Sequence, residues 1–482
     1  MIQAGFFETD ITPSIGMPNS CGEIFPSAKD ISTPLSITAG VWKTDAAKVA
    51  VVGADVIIMQ APLLQRALAI LKQRIGLDHL VFGASHTHEG GSTVDFYTPP
   101  ADVDELTELE PEVREEIKKS MGNSVPEYMA LIERRLVDAV VCADTRVEEV
   151  RLIMGKNLVE GVAYNRRYRM KNGFSVTHSG VGNPDAVDYA GPVDKEVVTL
   201  AAVNRRDKVT GMIVNFACHA QVAGGKVGYS ADYPFYMREM LKKNINPRMV
   251  PVFLNGCCGD VTWIDNLSPE PFRQDVKWAN TLGQRVGFGA LDVVNRVEPM
   301  AFDVIKYASE DLPLKYREIT AERYARDLAA VREQYQPGFK GRRGFLSGRD
   351  TILMRLKMRK QPNPIGNISG VQIGNLLLVS NANECFARIG LNIKAASSFE
   401  HTMVSELTNG YMGYLPTADV FGPHGGGYEG RLSGASFLEK DAWQKIQDAG
   451  IAMARRFAPE KVIAKPKVTN GQPWVAFRPE EL

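Results

Sequence analysis

Several short apolar runs in this 482-residue chain end abruptly in residues able to do chemistry. Leu80-Val-Phe-Gly-Ala-Ser85 runs into His86-Thr-His88-Glu-Gly-Gly91, and Met212-Ile-Val-Asn-Phe-Ala-Cys218 runs into His219. Val252-Phe-Leu254 runs into Asn255-Gly-Cys-Cys-Gly-Asp260-Val-Thr262, and Leu376-Leu-Leu-Val-Ser-Asn-Ala-Asn383 runs into Glu384. Sites in open α/β sheets form outside the carboxyl ends of strands, so four such endings can meet in one crevice. In extended chain, side chains i and i+2 face the same way, which lets His86 and His88 address one centre. A lone histidine after a buried strand is ordinarily a structural group. Three of the chain's seven histidines in that position, together with strand-end Glu384, point instead to a metal. Imidazoles and a carboxylate suit Zn²⁺, and three protein ligands plus water is a catalytic arrangement.

Two further features carry chemistry. Asn255-Gly-Cys-Cys-Gly-Asp260 reads as a tight, glycine-permitted turn presenting backbone amides and a carboxylate. A thiolate of Cys257 or Cys258 beside a histidine is the alternative nucleophile there. Asn165-Arg166-Arg167 follows a strand, where a guanidinium can clamp a carboxylate or an oxyanion.

Elements of two kinds must position these groups. The apolar runs predict strands over residues 48–53, 80–83, 151–154, 212–216, 250–254, 371–373 and 376–379. Apolar residues at three- and four-residue spacing predict helices over 61–76, 125–143, 233–243, 275–296, 320–335, 384–396 and 440–456. This alternation is that of an α/β protein with a layered mixed β-sheet core flanked by helices and its active site at strand carboxyl ends. Residues 1–460 are expected to form the functional domain and 461–482 a short closing segment.

Composition narrows the classes. With 44% hydrophobic and 23% charged residues the chain is ordinary globular protein, neither disordered nor fibrous. Fifty-six basic and 56 acidic residues cancel, which removes the broad electrostatic argument for a nucleic-acid partner. No apolar stretch approaches the roughly 20 residues that span a bilayer. The first residues carry no export signal, so the expected location is cytoplasmic, or periplasmic or secreted had a signal been removed. Six cysteines without CxxC spacing predict reduced, buried thiols. Residues 102–116 hold eight acidic residues and one Arg, and 340–360 hold eight basic residues and one Asp. Such blocks read as solvated faces, or as a rim that pairs within a homo-oligomer or steers an anionic substrate.

Taken in order, Gly5-Phe-Phe-Glu-Thr-Asp-Ile-Thr-Pro13, Ala84-Ser-His-Thr-His-Glu-Gly90, Tyr164-Asn-Arg166, Asn215-Phe-Ala-Cys-His219, Gly259-Asp-Val-Thr262, Asn383-Glu384, Gly413-Tyr-Leu-Pro-Thr417 and Tyr428-Glu-Gly430 form a set. With it the chain resembles the catalytic domain of the neutral/alkaline, non-lysosomal ceramidases, from about residue 4 to about 457. The resemblance implies hydrolysis of the amide of an N-acylsphingosine with one zinc ion per chain. It implies His86, His219 and Glu384 as zinc ligands completed by Tyr414, with Tyr411 the neighbouring competitor for that place. It also places His88, Arg166 and Tyr428 along the substrate site, and matches Asp10 to an N-terminal Asp of structural or catalytic weight. The family's C-terminal β-domain is expected to be absent. Three departures bear on the substrate: Thr262 and Trp263 stand where the family carries Ser-Pro, and Glu89 replaces a small residue.

The expected activity is that of a zinc-dependent amidohydrolase in which metal-activated water attacks an N-acyl carbonyl. Tyr428 or Arg166 then holds the developing oxyanion. His88 transfers the proton to the leaving group, and Asp260 or Thr262 orients it or the water. The competing readings keep the metal site but turn it to a polar carbohydrate or an acidic small molecule, or make the chain a metal-stabilised binding protein.

Overall fold

The computed structural model describes residues 1–20, 27–121, 124–224, 228–334 and 343–460. The expected closing segment 461–482, Cys21, Tyr335 and residues 340–342 of the basic block lie outside the described residues.

Eight strands form the larger sheet: β1 (Gln3–Asp10), β2 (Ser36–Lys43), β3 (Lys48–Ala54), β4 (His79–Ala84), β5 (Glu148–Leu158), β6 (Glu196–Asn204), β7 (Val209–Phe216) and β8 (Val250–Asn255). Their order is β8-β7-β6-β5-β1-β2-β3-β4. The pairings are antiparallel except at the two margins, where β7 runs parallel to β8 and β3 parallel to β4. A smaller sheet follows in the order β9 (Ile305–Pro313), β10 (Ile365–Ile373), β11 (Leu376–Asn381), β12 (His401–Ser405), with β11 and β12 parallel. The helices are α1 (Ala61–Ile75), α2 (Pro111–Lys119), α3 (Pro126–Asp144), α4 (Asp232–Asn244), α5 (Val276–Arg296), α6 (Ala321–Gln334), α7 (Arg343–Lys360), α8 (Ala387–Ala396) and α9 (Ala442–Ala454).

Alternation along the strands explains the layers, because successive side chains leave a strand on opposite faces. Ala50, Val52 and Ala54 of β3 pack with α1 and α3, whereas Val49 and Val51 face the other way. Val197, Ala201 and Val203 of β6 pack with α4 and α5, while Val198, Leu200 and Ala202 point opposite. That opposite face meets Val371, Ile373, Leu376, Leu378 and Met403 of the smaller sheet. The smaller sheet's far face, through Leu377, Val379 and Val404, buries α8 and α9. The result is a helix–sheet–sheet–helix sandwich, in agreement with the layered α/β expectation.

Every run expected to be a strand lies inside one, although residues 151–154 are the middle of an eleven-residue strand. Within these two sheets five strands were missed: β1, β2, β6, β9 and β12. Their runs are broken by polar residues or carry fewer large aliphatic side chains. The helix expected from residue 384 starts at Ala387, because Glu384–Cys385 instead pairs in parallel with Tyr414–Leu415. The acidic block folds partly as α2, and the described part of the basic block as α7. Lys360 joins the two within one chain by binding Asp102 and Glu105, and Arg332 of α6 reaches the Glu108 carbonyl. Val113 and the adjoining Ile117 share an apolar cluster with Ile352 and Leu356. The two segments therefore contact each other within the subunit. No helix among the described residues is long and apolar enough to cross a membrane.

Candidate metal centre

The parallel margins bring the chemistry together. Ala54 is level with Ala84 and Phe216 with Asn255 at the two margins, and the segments that follow meet: Asn255 Nδ2 donates to the Ser85 carbonyl at 3.3 Å and the His88 amide to the Ala220 carbonyl at 3.1 Å. His86 follows β4 with φ at 64°, a left-handed conformation that costs a residue with a Cβ and is found at sites where function requires it. It is held there by its own amide on the Val56 carbonyl at 3.0 Å. The Asn255–Asp260 turn passes against Glu384: a Cβ on Gly259 would lie 2.4 Å from the Glu384 carbonyl oxygen. Gly413 has φ at 73°, and its carbonyl accepts the Glu384 amide at 3.0 Å.

Three imidazoles, those of His86, His88 and His219, present nitrogen atoms that all lie within 4.8 Å of one another. His86 Nδ1 donates to the Ile57 carbonyl at 2.9 Å, and His219 Nδ1 donates to the Cys258 carbonyl at 2.8 Å. A carbonyl can only accept, so each neutral ring keeps its lone pair on Nε2, facing the centre. Glu384 Oε2 lies 3.3 Å from His86 Nε2 and 3.7 Å from His219 Nε2. Both His86 Nε2 and Glu384 Oε2 are buried without a hydrogen-bond partner. Two acceptors facing each other in a dry interior need a cation or a proton between them. Burial, then the Arg166 guanidinium, pushes the His219 imidazole down to about 3. Burial and the two neighbouring imidazoles hold His88 well below its ordinary value. Burial favours a protonated Glu384, but positive charge shared with His86 and His219, the place a metal cation would take, outweighs it and holds the carboxyl well below its usual range. Neutral imidazoles beside an ionised carboxylate are the protonation states a metal takes. The donor set therefore fits Zn²⁺.

The remaining expected residues take distinct positions. Arg166 is buried and donates from Nε to Glu429 Oε1 at 2.8 Å and from Nη2 to the Gly259 carbonyl at 2.7 Å. Its Nη1 lies 3.0 Å from His219 Nε2, a contact that a metal on His219 would have to displace. Its guanidinium also sits over the rings of Tyr414 and Tyr428, at 5.5 and 5.0 Å. The two tyrosine hydroxyls are 3.4 Å apart. Tyr411, the competitor, donates to Glu384 Oε1 at 3.1 Å. Tyr428 is 47% exposed and so forms the open rim of the site, and burial of its hydroxyl end pushes its pKa up to about 12.

Asp260 accepts from the Ala387 amide at 2.7 Å and from Asn165 Nδ2 at 2.6 Å. Through these bonds it ties the start of α8 to Asn165. Thr262 Oγ1 is buried without a hydrogen-bond partner. Asp10 caps a turn through Thr12 at the end of β1. Cys258 is no nucleophile: burial and Glu406 push its thiol well above the ordinary range, and its Sγ lies 2.9 Å from Glu406 Oε1. The described cysteines are unpaired thiols, as expected.

Two buried carboxylates escaped the sequence reading. Glu406 accepts the amides of Cys258 at 3.0 Å and Cys385 at 2.8 Å, tying the Asn255–Asp260 turn to the Glu384 segment. It follows β12 directly, so the strand-end pattern that singled out Glu384 also marks it. Glu429 holds Arg166 and accepts from Thr177 Oγ1 at 2.7 Å. Its only sequence signal was its place beside Tyr428.

The fold and this cluster define a layered α/β protein with a candidate metal centre at its strand ends. Among solved structures, the chain is similar to one described as a ceramidase complexed with C2, with a TM-score of 0.69 and 18% identity over 97% of this chain and 77% of that one. It is equally similar to the neutral ceramidase from Pseudomonas aeruginosa, with a TM-score of 0.68 and 18% identity over 96% of this chain and 76% of that one. The chain thus has the ceramidase fold. No family model and no curated protein sequence matches it.

Proposed function

We propose that the chain is a divergent member of the ceramidase family, a zinc-dependent hydrolase that cleaves an N-acyl amide, with residues 1–460 as its functional domain. The observation that carries this reading is the pair of Nδ1-anchored histidines, His86 and His219, whose Nε2 lone pairs face the ionised Glu384 beside His88. His86, His219 and Glu384 would hold the metal, with Tyr414 the candidate for the fourth place. A zinc ion there supplies Lewis-acid polarisation of a carbonyl and a water of lowered pKa.

The chain's own groups do the rest. Arg166, fixed by Glu429 and the Gly259 carbonyl, offers a permanent positive charge to the developing oxyanion. Tyr428 adds a neutral hydroxyl from the open rim. His88, neutral and adjoining the ligands, accepts a proton from the attacking water and passes it to the leaving nitrogen. Tyr411 and the Glu384 backbone bridge to Tyr414 keep the carboxylate aimed at the centre. A lipid N-acyl substrate follows from the ceramidase likeness. The polar-substrate alternative is favoured by the Thr262 and Trp263 replacements.

The test is elemental analysis paired with a fluorogenic N-acyl panel that includes ceramide. Near one zinc per chain with turnover abolished in His86→Ala is the expected result. Absence of bound metal after zinc is supplied would overturn the reading.

A further inference from the structure

A cavity of about 290 Å³ opens beside the candidate centre, lined among others by His178, Gln221, Trp263, Asn266, Phe272 and Gln274. Its lining residues adjoin those of the site along the chain. Gln221 is two residues beyond His219, Trp263 adjoins Thr262, and the His178 amide donates to the Arg166 carbonyl at 2.8 Å.

The chemistry of the lining is selective. Among the described residues its lining contains no Lys, Arg, Asp or Glu, and burial holds the His178 imidazole down to about 4, so it is neutral at physiological pH. Phosphate, carboxylate and ammonium groups find no counter-charge among these residues. Three carboxamides face the space instead. Asn266, oriented so that its Oδ1 accepts the Gly180 and Ser179 amides, lies in the wall. Gln274 spends one amide hydrogen on the Gln221 carbonyl and keeps Oε1. Phe272, 48% exposed at the rim, supplies flat apolar surface, backed by the buried Trp263. Trp263 is locked by Nε1 donating to the Arg273 carbonyl at 2.9 Å. Carboxamides for hydroxyls and an aromatic face for ring C–H groups are the complement of a sugar-like ring. The volume falls near the roughly 300 Å³ lower end of small-molecule pockets, room for one ring and not for a long chain.

We propose that this cavity binds a neutral, hydroxyl-bearing ring, a sugar or another cyclic polyol, carried by the substrate of the adjoining centre. The assignment of that ring to a substrate rests on the hydrolase reading above; the pocket's binding chemistry does not.

The experiment uses the zinc-supplemented full chain. Saturation-transfer NMR with a panel of methyl glycosides and myo-inositol is compared with cyclohexylmethanol as the ring without hydroxyls. Hydrolysis of N-octanoyl hexosamines is compared with that of N-octanoyl cyclohexylamine and ceramide. Expected are transfer to at least one hydroxylated ring, and a kcat/KM about 100-fold higher for a hydroxylated substrate than for the cyclohexyl one. Both should fall at least about tenfold in Phe272→Ala and Gln274→Ala. These residues are exposed and outside the centre, so zinc content should be unchanged. Equal rates on the two rings, a preference for ceramide, or binding unaltered by both variants would overturn the pocket. Ring binding without turnover of any N-acyl substrate would uphold the pocket and sink the hydrolase reading instead.

Discussion

An imidazole whose Nδ1 is committed to a backbone carbonyl has one tautomer available when neutral. That single fact gives His86 and His219 their chemistry. Removing either Nε2 lone pair should abolish stoichiometric zinc: His86→Ala is expected to lower zinc affinity by more than about 100-fold, above the 10–100-fold typical of outer-shell changes, measured by competition with a chromogenic chelator. The pH dependence of the metal-free protein follows from the same residues. His219 falls to about 3 in the folded chain, so between pH 3 and its ordinary value of 6.5 the unfolded state binds the extra proton. Stability from this group is full above 6.5 and is lost on acidification through that window; Glu384, held low, adds a loss of the same sign. Asp260, raised to about 6 by burial, acts oppositely between 3.8 and 6. Thermal melts of metal-free His219→Gln should therefore lose less stability between pH 6.5 and 4 than the parent. An identical slope would remove His219 as the cause.

At the scale of elements, the centre depends on how closely the Asn255–Asp260 turn approaches the Glu384 segment. Gly259→Ala would drive a methyl into the Glu384 carbonyl at 2.4 Å, against backbone that cannot rotate away. A loss of at least about 2 kcal/mol in urea unfolding, with reduced zinc content, is expected. Glu406→Ala would strand the buried amides of Cys258 and Cys385, a cost of about 2–5 kcal/mol for the two. Rescue of both stability and turnover by Glu406→Gln, which retains an acceptor oxygen, would separate hydrogen bonding from charge. The bridge between residues 384–385 and 414–415 is the reason the helix starts three residues later than its periodicity suggests. Periodicity reports a buried face and is blind to a partner strand arriving from thirty residues away.

Across the whole molecule, the charge blocks are an internal clasp. Lys360 is partly exposed with its partners Asp102 and Glu105, so Lys360→Ala should cost less than about 1 kcal/mol and leave the oligomeric state unchanged in light scattering. A dimer that dissociates on this substitution would restore the inter-subunit reading.

What the sequence determined by itself was local. Strand-end histidines and Glu384, the α/β alternation and the ordered motifs are written in neighbouring residues, because buried strands must be apolar and the residues just beyond them need not be. The tertiary structure decided what depends on distant partners: the helix–sheet–sheet–helix layering, the different hydrogen-bond partners of Tyr411 and Tyr414, the pairing of Arg166 with Glu429 across 263 residues, and the bonds that tie Asp260 to the Ala387 amide and Asn165. The physical reason is that a carboxylate or hydroxyl has the same pattern in sequence whether it faces solvent, a metal or a backbone amide. Its role is set by which hydrogen-bond partners remain once water is excluded, and those are supplied by strands and turns remote along the chain.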